Sequence, residues 1–252
     1  MPGTNKKQIA NVIASSTTGL YHKNKGLISQ DYFAFKQTSQ RIVAVVSDGA
    51  GSAKYGRIGA KCVCETATRI LSRADLSQIK QSIIDGIQAS RDILINHRLN
   101  KQKNENGLID FAATVVGVVV QKNKGIFFHI GDGAGIALSG NKTDSYIISE
   151  PENGIFSSET YFYTMDDWKD SLRFTTFKDA SSLFLMTDGV TKFALKKDER
   201  NIEKNFLTPI EKYLREETNL KRAERALKNT LETPKASAIC ADDKTLMWIK
   251  LK

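Results

Sequence analysis

The sequence predicts an α+β domain in which antiparallel β-structure and helices form separate layers. Three observations carry this. Ten short apolar or β-branched runs follow one another like hairpins. Two long helical patterns come together after the third run, and further helical pattern gathers near the end. No regular strand–helix–strand alternation, the mark of a parallel sheet, is present.

The strands are expected at Ile9–Ser15, Tyr32–Lys36, Arg41–Ser47, Ala113–Gln121, Gly125–Ile130, Ile136–Ser139, Ser145–Ser149, Arg173–Phe177, Leu183–Thr187 and Thr245–Leu251, most with Gly, Asn, Asp or Lys-rich turns between them. Across Tyr55–Ser72, Ile58, Cys62, Ala67, Ile70 and Leu71 recur near helical spacing. Across Leu76–Leu99, Ile79, Ile83, Ile84, Ile87, Ile93, Leu94 and Leu99 make a broad apolar stripe. Ile202–Leu231 reads as two helices parted near Thr218–Asn219. With 252 residues, 40% of them hydrophobic, and only four scattered prolines, the chain reads as one domain spanning 1–252.

The net charge of +9 raises the question of a nucleic-acid or membrane partner. The basic residues are dispersed, and between Lys192 and Lys228 they alternate with acids such as Glu203, Glu211 and Glu217. That pattern suits solvated helix faces, and the clustered aromatics of the common nucleic-acid modules are missing. No run approaches the roughly 20 apolar residues of a membrane span, and Met1 to Val12 has no apolar signal core. Cys62, Cys64 and Cys240 are too few for a disulfide framework, and no Cys/His pair beside the first two completes a zinc site. Reduced thiols and a cytoplasmic protein with no membrane or nucleic-acid partner are expected.

One local pattern repeats. An apolar strand ends and an Asp follows, then a Gly: Asp48-Gly49 after Val43–Ser47, Asp132-Gly133 after Gly125–Gly131, and Asp188-Gly189 after Leu183–Thr187. Asp242-Asp243 precedes the last strand. A single Asp-Gly is usually a hairpin turn. Three after apolar strands, with the Asp pair, point instead to carboxylates converging on hard cations such as Mg²⁺, Mn²⁺ or Ca²⁺. Two such ions would turn a site that repels phosphate into one that attracts it. The Gly would let the backbone turn or approach closely.

These residues resemble the metal-dependent serine/threonine protein phosphatases of the 2C type, and the match runs nearly the whole chain in order. Ser29-Gln30-Asp31, Ser47-Asp48-Gly49-Ala50-Gly51-Ser52, Asp110-Phe111-Ala112-Ala113-Thr114, Ile130-Gly131-Asp132-Gly133, Thr187-Asp188-Gly189-Val190 and Asp242-Asp243-Lys244-Thr245 are similar to six family motifs. The form is similar to a compact bacterial branch. The resemblance implies a β-sandwich of two antiparallel sheets flanked by helices on both outer faces. It implies two Mn²⁺ or Mg²⁺ ions, with Asp48 and the Gly49 carbonyl, Asp188 and Asp242 as ligands, and Asp132 associated with a weaker third. A hydroxide bridging the ions would attack phosphorus in line, without a phosphoenzyme. The partner implied is a phosphorylated protein, with a cognate Ser/Thr kinase opposing.

Four positions depart from the family pattern. Gln30 stands where many relatives carry a carboxylate, leaving Asp31 or waters to complete coordination. Ala50 replaces a histidine proposed as general acid; His22 is the candidate replacement, against a plain surface histidine in a Lys-rich loop. No arginine lies near Gly26 to grip phosphate, so Lys23 or Lys25 would serve, without the bidentate fork. Lys192 occupies a place where some relatives have an acid, which would weaken a third ion. Gln30 and Ala50 keep open a second function, a phosphoprotein-binding pseudophosphatase. His129 reads as a packed histidine and His97 as a surface one. Glu150–Lys169, with Phe156, Tyr161, Phe162, Tyr163 and Trp168, is either a substrate-facing lid or a loop packed on its own aromatics.

Overall fold

Valine and isoleucine on both faces of a strand demand cover on both sides, and that requirement shapes the fold. The computed structural model describes residues 9–101, 107–140, 143–152 and 160–252, with side chains omitted for 98–101, which include Leu99 of the expected stripe. The strands are β1 (Ala10–Thr17), β2 (Tyr32–Gln37), β3 (Ile42–Ser47), β4 (Val115–Gln121), β5 (Lys124–Ile130), β6 (Ala134–Ser139), β7 (Tyr146–Ser149), β8 (Arg173–Phe177), β9 (Ala180–Met186) and β10 (Lys244–Leu251). They form two antiparallel sheets, ordered β1-β10-β9-β6-β7 and β2-β3-β4-β5-β8. This is the expected sandwich, and each expected strand is present.

In β3, Ile42, Ala44 and Val46 point between the sheets, where they meet Leu183, Leu185, Met247 and Ile249. Val43 and Val45 point outward, as period two requires. They are covered by Ala60, Val63 and Leu71 of α2 (Gly56–Leu71) and Ile83 and Ile87 of α3 (Ile79–Lys101). The outer face of the other sheet, with Phe184, Leu246 and Trp248, is covered by α4 (Asp188–Ala194), α5 (Lys204–Glu216) and α6 (Leu220–Leu231). The break between α5 and α6 falls where the sequence puts it, because the Asn219 side chain caps α6 by accepting from Arg222 N. Two further short helices stand near the sheet ends. One, Leu20–Asn24, is α1, and the other, Pro234–Ile239, is α7.

Buried polar groups in this outer layer are paired. Glu211 is 4% exposed; its Oε1 accepts from Ser182 Oγ at 2.8 Å and Arg215 Nε at 3.0 Å, and its Oε2 accepts from Trp248 Nε1. The three cysteines are free thiols, and burial pushes Cys64 well above the usual thiol range. Among the described residues no helix is long and apolar enough to cross a membrane.

Part of the expected lid belongs to the core. Tyr163 and Trp168 are buried against α2 and α3, and the Tyr163 hydroxyl donates to Gly59 O at 2.8 Å. Large aromatics with little accessible surface stabilise by burial, which holds 160–169 down. Residues 153–159, including Phe156, lie outside the described residues.

Candidate active site

Register brings the aspartates to one end of the sandwich. Tyr32 pairs with Ser47, so Asp31 and Asp48 stand side by side where β2 begins and β3 ends. Val115 pairs with Ile130, which sets Gly131 against the Thr114 that precedes β4, with Asp132 next in the chain. Ala134 and Leu246 both pair with Met186, which carries Asp188 and the residues before β10 to the same end. The carboxylates therefore come from both sheets.

The glycines after Asp48 and Asp188 serve close packing. Neither is at positive φ, so the hairpin-turn reading does not hold for them. A Cβ on Gly49 would lie 2.3 Å from the Gly56 carbonyl carbon, and one on Gly189 would lie 1.8 Å from Asp243 O. Asp188 instead opens α4, a helix absent from the sequence reading.

Hydroxyls pin the acids. Thr187 Oγ1 donates to Asp31 Oδ2 at 2.8 Å and accepts from Thr245 N at 3.0 Å, which joins the two sheets at the site. Thr114 Oγ1 accepts from Asp48 N at 3.0 Å, and Thr160 Oγ1 donates to Asp132 Oδ2 at 2.9 Å. Two oxygens, Asp31 Oδ1 and Asp132 Oδ1, are buried without a hydrogen-bond partner among the described residues.

Burial raises each of these carboxyls, and their mutual repulsion adds to it. Asp48 is pushed well above the ordinary carboxylate range by burial, then by the charges of Asp31, Asp188, Asp242 and Asp132. Asp188 rises to about 8 from burial and the charges of Asp132, Asp242 and Asp31. Asp31 rises to about 7 through burial, opposed by its hydrogen bonds and reinforced by Asp243. Asp132 is raised by burial against the Thr160 hydrogen bond. Acids gathered at such electrostatic cost, with two oxygens left unpaired, suit hard divalent cations, which take oxygen ligands and favour the ionised form.

Of the doubled acid, Asp242 is the one that faces the pocket, though a ligand atom of each, with one of His22, lies within 4.8 Å of the others. Asp242 is exposed and lines the pocket with Asp188, His22, Gly51 and Lys192. Asp243 is 1% exposed and turned inward. Its Oδ1 accepts from Gly19 N at 2.7 Å, and its Oδ2 accepts from Gln30 N at 2.6 Å. Oδ2 also lies 2.9 Å from His22 Nδ1, an ion-pair contact more than an aligned hydrogen bond.

His22 is not the surface histidine of a Lys-rich loop. It is 3% exposed, on α1, and a methyl placed on Gly51 would sit 3.7 Å from its Nε2. The imidazole thus borders the loop whose Ala50 lacks the family's histidine. Gln30 Oε1 accepts from Arg57 N at 3.1 Å at the start of α2.

The two lysines expected to hold phosphate are engaged elsewhere, and neither lines the pocket. Lys23 pairs with Glu232 at 3.7 Å, and Lys25 donates to Tyr21 Oη and lies over that ring. The lysine on the pocket wall is Lys192, whose charge acts on Asp188 and Asp132. His129 is fully buried, with Nδ1 3.2 Å from Ser149 Oγ, and burial pushes it well below the usual range; it is a packed residue. His97 is half-buried, edge-on to Phe111.

The model of one protein family, described as protein phosphatase 2C, matches residues 18–232. No curated protein matches the chain. Among solved structures, a bacterial serine phosphatase is 14% identical with a TM-score of 0.68, covering 96% of this chain and 98% of its own. The serine/threonine phosphatase Stp1 of Staphylococcus aureus is 15% identical at a TM-score of 0.67, over 97% of this chain and 96% of its own. PppA of Pseudomonas aeruginosa, a key regulatory component of T6SS, is 15% identical at 0.66, over 97% and 98%. At such identity the likeness is one of fold.

Proposed function

The chain belongs to the protein phosphatase 2C family, and from that premise we propose that it is an active, divalent-metal-dependent phosphatase of phosphoserine and phosphothreonine in proteins. The observation that carries this reading is the gathering of Asp31, Asp48, Asp132, Asp188 and Asp242 within one another's electrostatic reach, with Asp31 Oδ1 and Asp132 Oδ1 unpaired. Asp48, Asp188 and Asp242 would hold two Mn²⁺ or Mg²⁺ ions, aided by the Gly49 carbonyl and Asp31, with Asp132 toward a weaker third. Such ions supply positive charge for the phosphate and an activated water.

The rest of the work falls to this chain's own groups. Lys192 faces the phosphate dianion as a point charge from the wall of α4. A serine or threonine leaving oxygen needs a proton, and His22 is placed to give it. As the imidazolium it keeps Nδ1 against the Asp243 carboxylate and presents Nε2 to the Gly51 side of the pocket. Asp243 acts through His22 and is a positioning residue.

The test separates proton donation from ion binding by leaving group. Wild type, Asp48→Asn and His22→Ala are assayed with Mn²⁺ on p-nitrophenyl phosphate and on a phosphothreonine peptide. Asp48→Asn should abolish turnover of both. His22→Ala should slow the peptide by about 10²-fold and change p-nitrophenyl phosphate far less, because nitrophenolate leaves without a proton. Equal losses would remove His22 from the acid role. A wild type that binds phosphopeptide with no Mn²⁺-dependent turnover would be the pseudophosphatase instead.

A further inference from the structure

A trough leads out of the active-site pocket across the helical layer. Its near part, about 690 Å³, has an apolar floor that includes Phe193, Leu195 and Phe206. Lys192 and Ile239 line both this part and the pocket that holds Asp188 and Asp242, so the two adjoin. Ile239, at the junction, leaves 49% of its surface open to solvent. A further part of about 410 Å³ continues between α5 and α6 over Pro209 and Tyr213, sharing Asn205, Phe206 and Thr230 with the first.

The rim is mostly positive, with four lysines against one acid. Lys192, Lys196, Lys197 and Lys235 border the near part, and among the described residues none of the four takes part in an ion pair. The single acid there, Glu203, is spent on capping α5, where it accepts from Asn205 N at 3.1 Å. Elsewhere on the surface lysines do find acids, as Lys204 does with Asp144. An apolar floor under four lysines with no close ion-pair partner among the described residues complements an extended chain that carries both carboxylates and an apolar side chain. Single-stranded nucleic acid, which also seeks lysines and aromatic rings, fits less well. Phe193 and Phe206 are packed edge to face with centroids 4.7 Å apart, which builds a floor without offering paired open faces for stacked bases.

We propose that this trough binds the polypeptide flanking the phosphoresidue and selects flanks that combine acidic residues with an apolar anchor. The inference rests on the phosphatase reading of the pocket, and it narrows the substrate class: phosphosites in acidic surroundings are favoured and those in basic surroundings are repelled.

The test uses fluorescent phosphothreonine peptides that differ only in the flank, Glu/Leu-containing or Lys-containing, placed on each side of the phosphoresidue in turn. Affinity is read by anisotropy with Mn²⁺ present, and kcat/KM by phosphate release. The variant is Lys196→Glu with Lys235→Glu, both exposed and outside the catalytic machinery. The wild type should prefer the acidic peptide. The double variant should lose about tenfold for it, gain for the basic peptide, and hydrolyse p-nitrophenyl phosphate unchanged. Equal binding of the two peptides, a preference untouched by charge reversal, or tighter capture of a single-stranded oligonucleotide that displaces the peptide would overturn the proposal. If nothing is hydrolysed yet the charge-dependent binding persists, the phosphatase reading falls and the trough stands.

Discussion

Replacing Asp243 with alanine removes an acceptor shared by three groups from two chain segments. The carboxylate takes Gly19 N at 2.7 Å and Gln30 N at 2.6 Å and lies 2.9 Å from His22 Nδ1. At 1% exposure, water cannot replace it without rearrangement. A hydrogen bond to a charged group contributes about 1.5–3 kcal/mol net, so the two backbone bonds alone suggest about 3–6 kcal/mol. Part of this is offset, because the Asp243 charge also raises Asp31, and its removal relaxes that repulsion. A net loss of about 2–5 kcal/mol is expected for Asp243→Ala. Asp243→Asn keeps one acceptor oxygen and should lose less. Urea unfolding without divalent ions, compared at constant slope, measures both. In a thermal scan the alanine variant should melt roughly 5–15 °C lower. Should both variants unfold within about 1 kcal/mol of wild type, the tethering role assigned to this carboxylate is wrong.

Two further perturbations test other parts of the structure. Glu211→Leu strands Arg215 and the Trp248 indole N–H, so a loss of about 3–5 kcal/mol is expected, with Trp248 emission shifting to the red; an unchanged urea midpoint would count against it. Without divalent ions, Asp31 and Asp188 have folded values near about 7 and about 8 against an ordinary 3.8, so the folded state holds protons that the unfolded chain has released. Their contribution to stability therefore falls as pH rises from about 4 to about 8 and levels off above, and Mn²⁺, which competes with those protons, should raise the melting temperature more at about pH 8.5 than at about pH 6. A pH-independent Mn²⁺ shift would contradict the clustering of these acids.

The sheets were legible in the sequence because β3 and β4 are covered on both faces, and that cover demands unbroken runs such as Val43–Ser47 and Val115–Val120. Alternation with a polar side would have been a weaker signal. The helices α1, α4 and α7 were not legible: each spans two turns or fewer, too short for a 3.6-residue period to register. The core role of Tyr163 and Trp168 was hidden for a related reason, since they pack from an irregular segment with no period at all. At the site, the aspartates stood out because strand ends carry them. The division of labour in Asp242-Asp243 did not, because neighbouring residues of one type are told apart only by direction. The same holds for the lysines. Proximity in sequence to the early motif favoured Lys23 and Lys25, whereas the fold sets Lys192 on the pocket wall, where its charge acts on Asp188 and Asp132. Thr187 was within reach of sequence reasoning through its place before Asp188, though its bond across the sheets was not.

Because Asp31 and Asp48 stand on one sheet and Asp188 and Asp242 on the other, any ion seated among them acts as a clasp between two halves of the molecule. Hinging the halves apart by even a bond length would scatter its ligands, so occupancy should resist that opening and the opening should eject the cargo. On the proposed function, turnover is therefore an indirect gauge of whether the two layers have closed, and a lesion anywhere along their shared face, far from the acids themselves, would silence it.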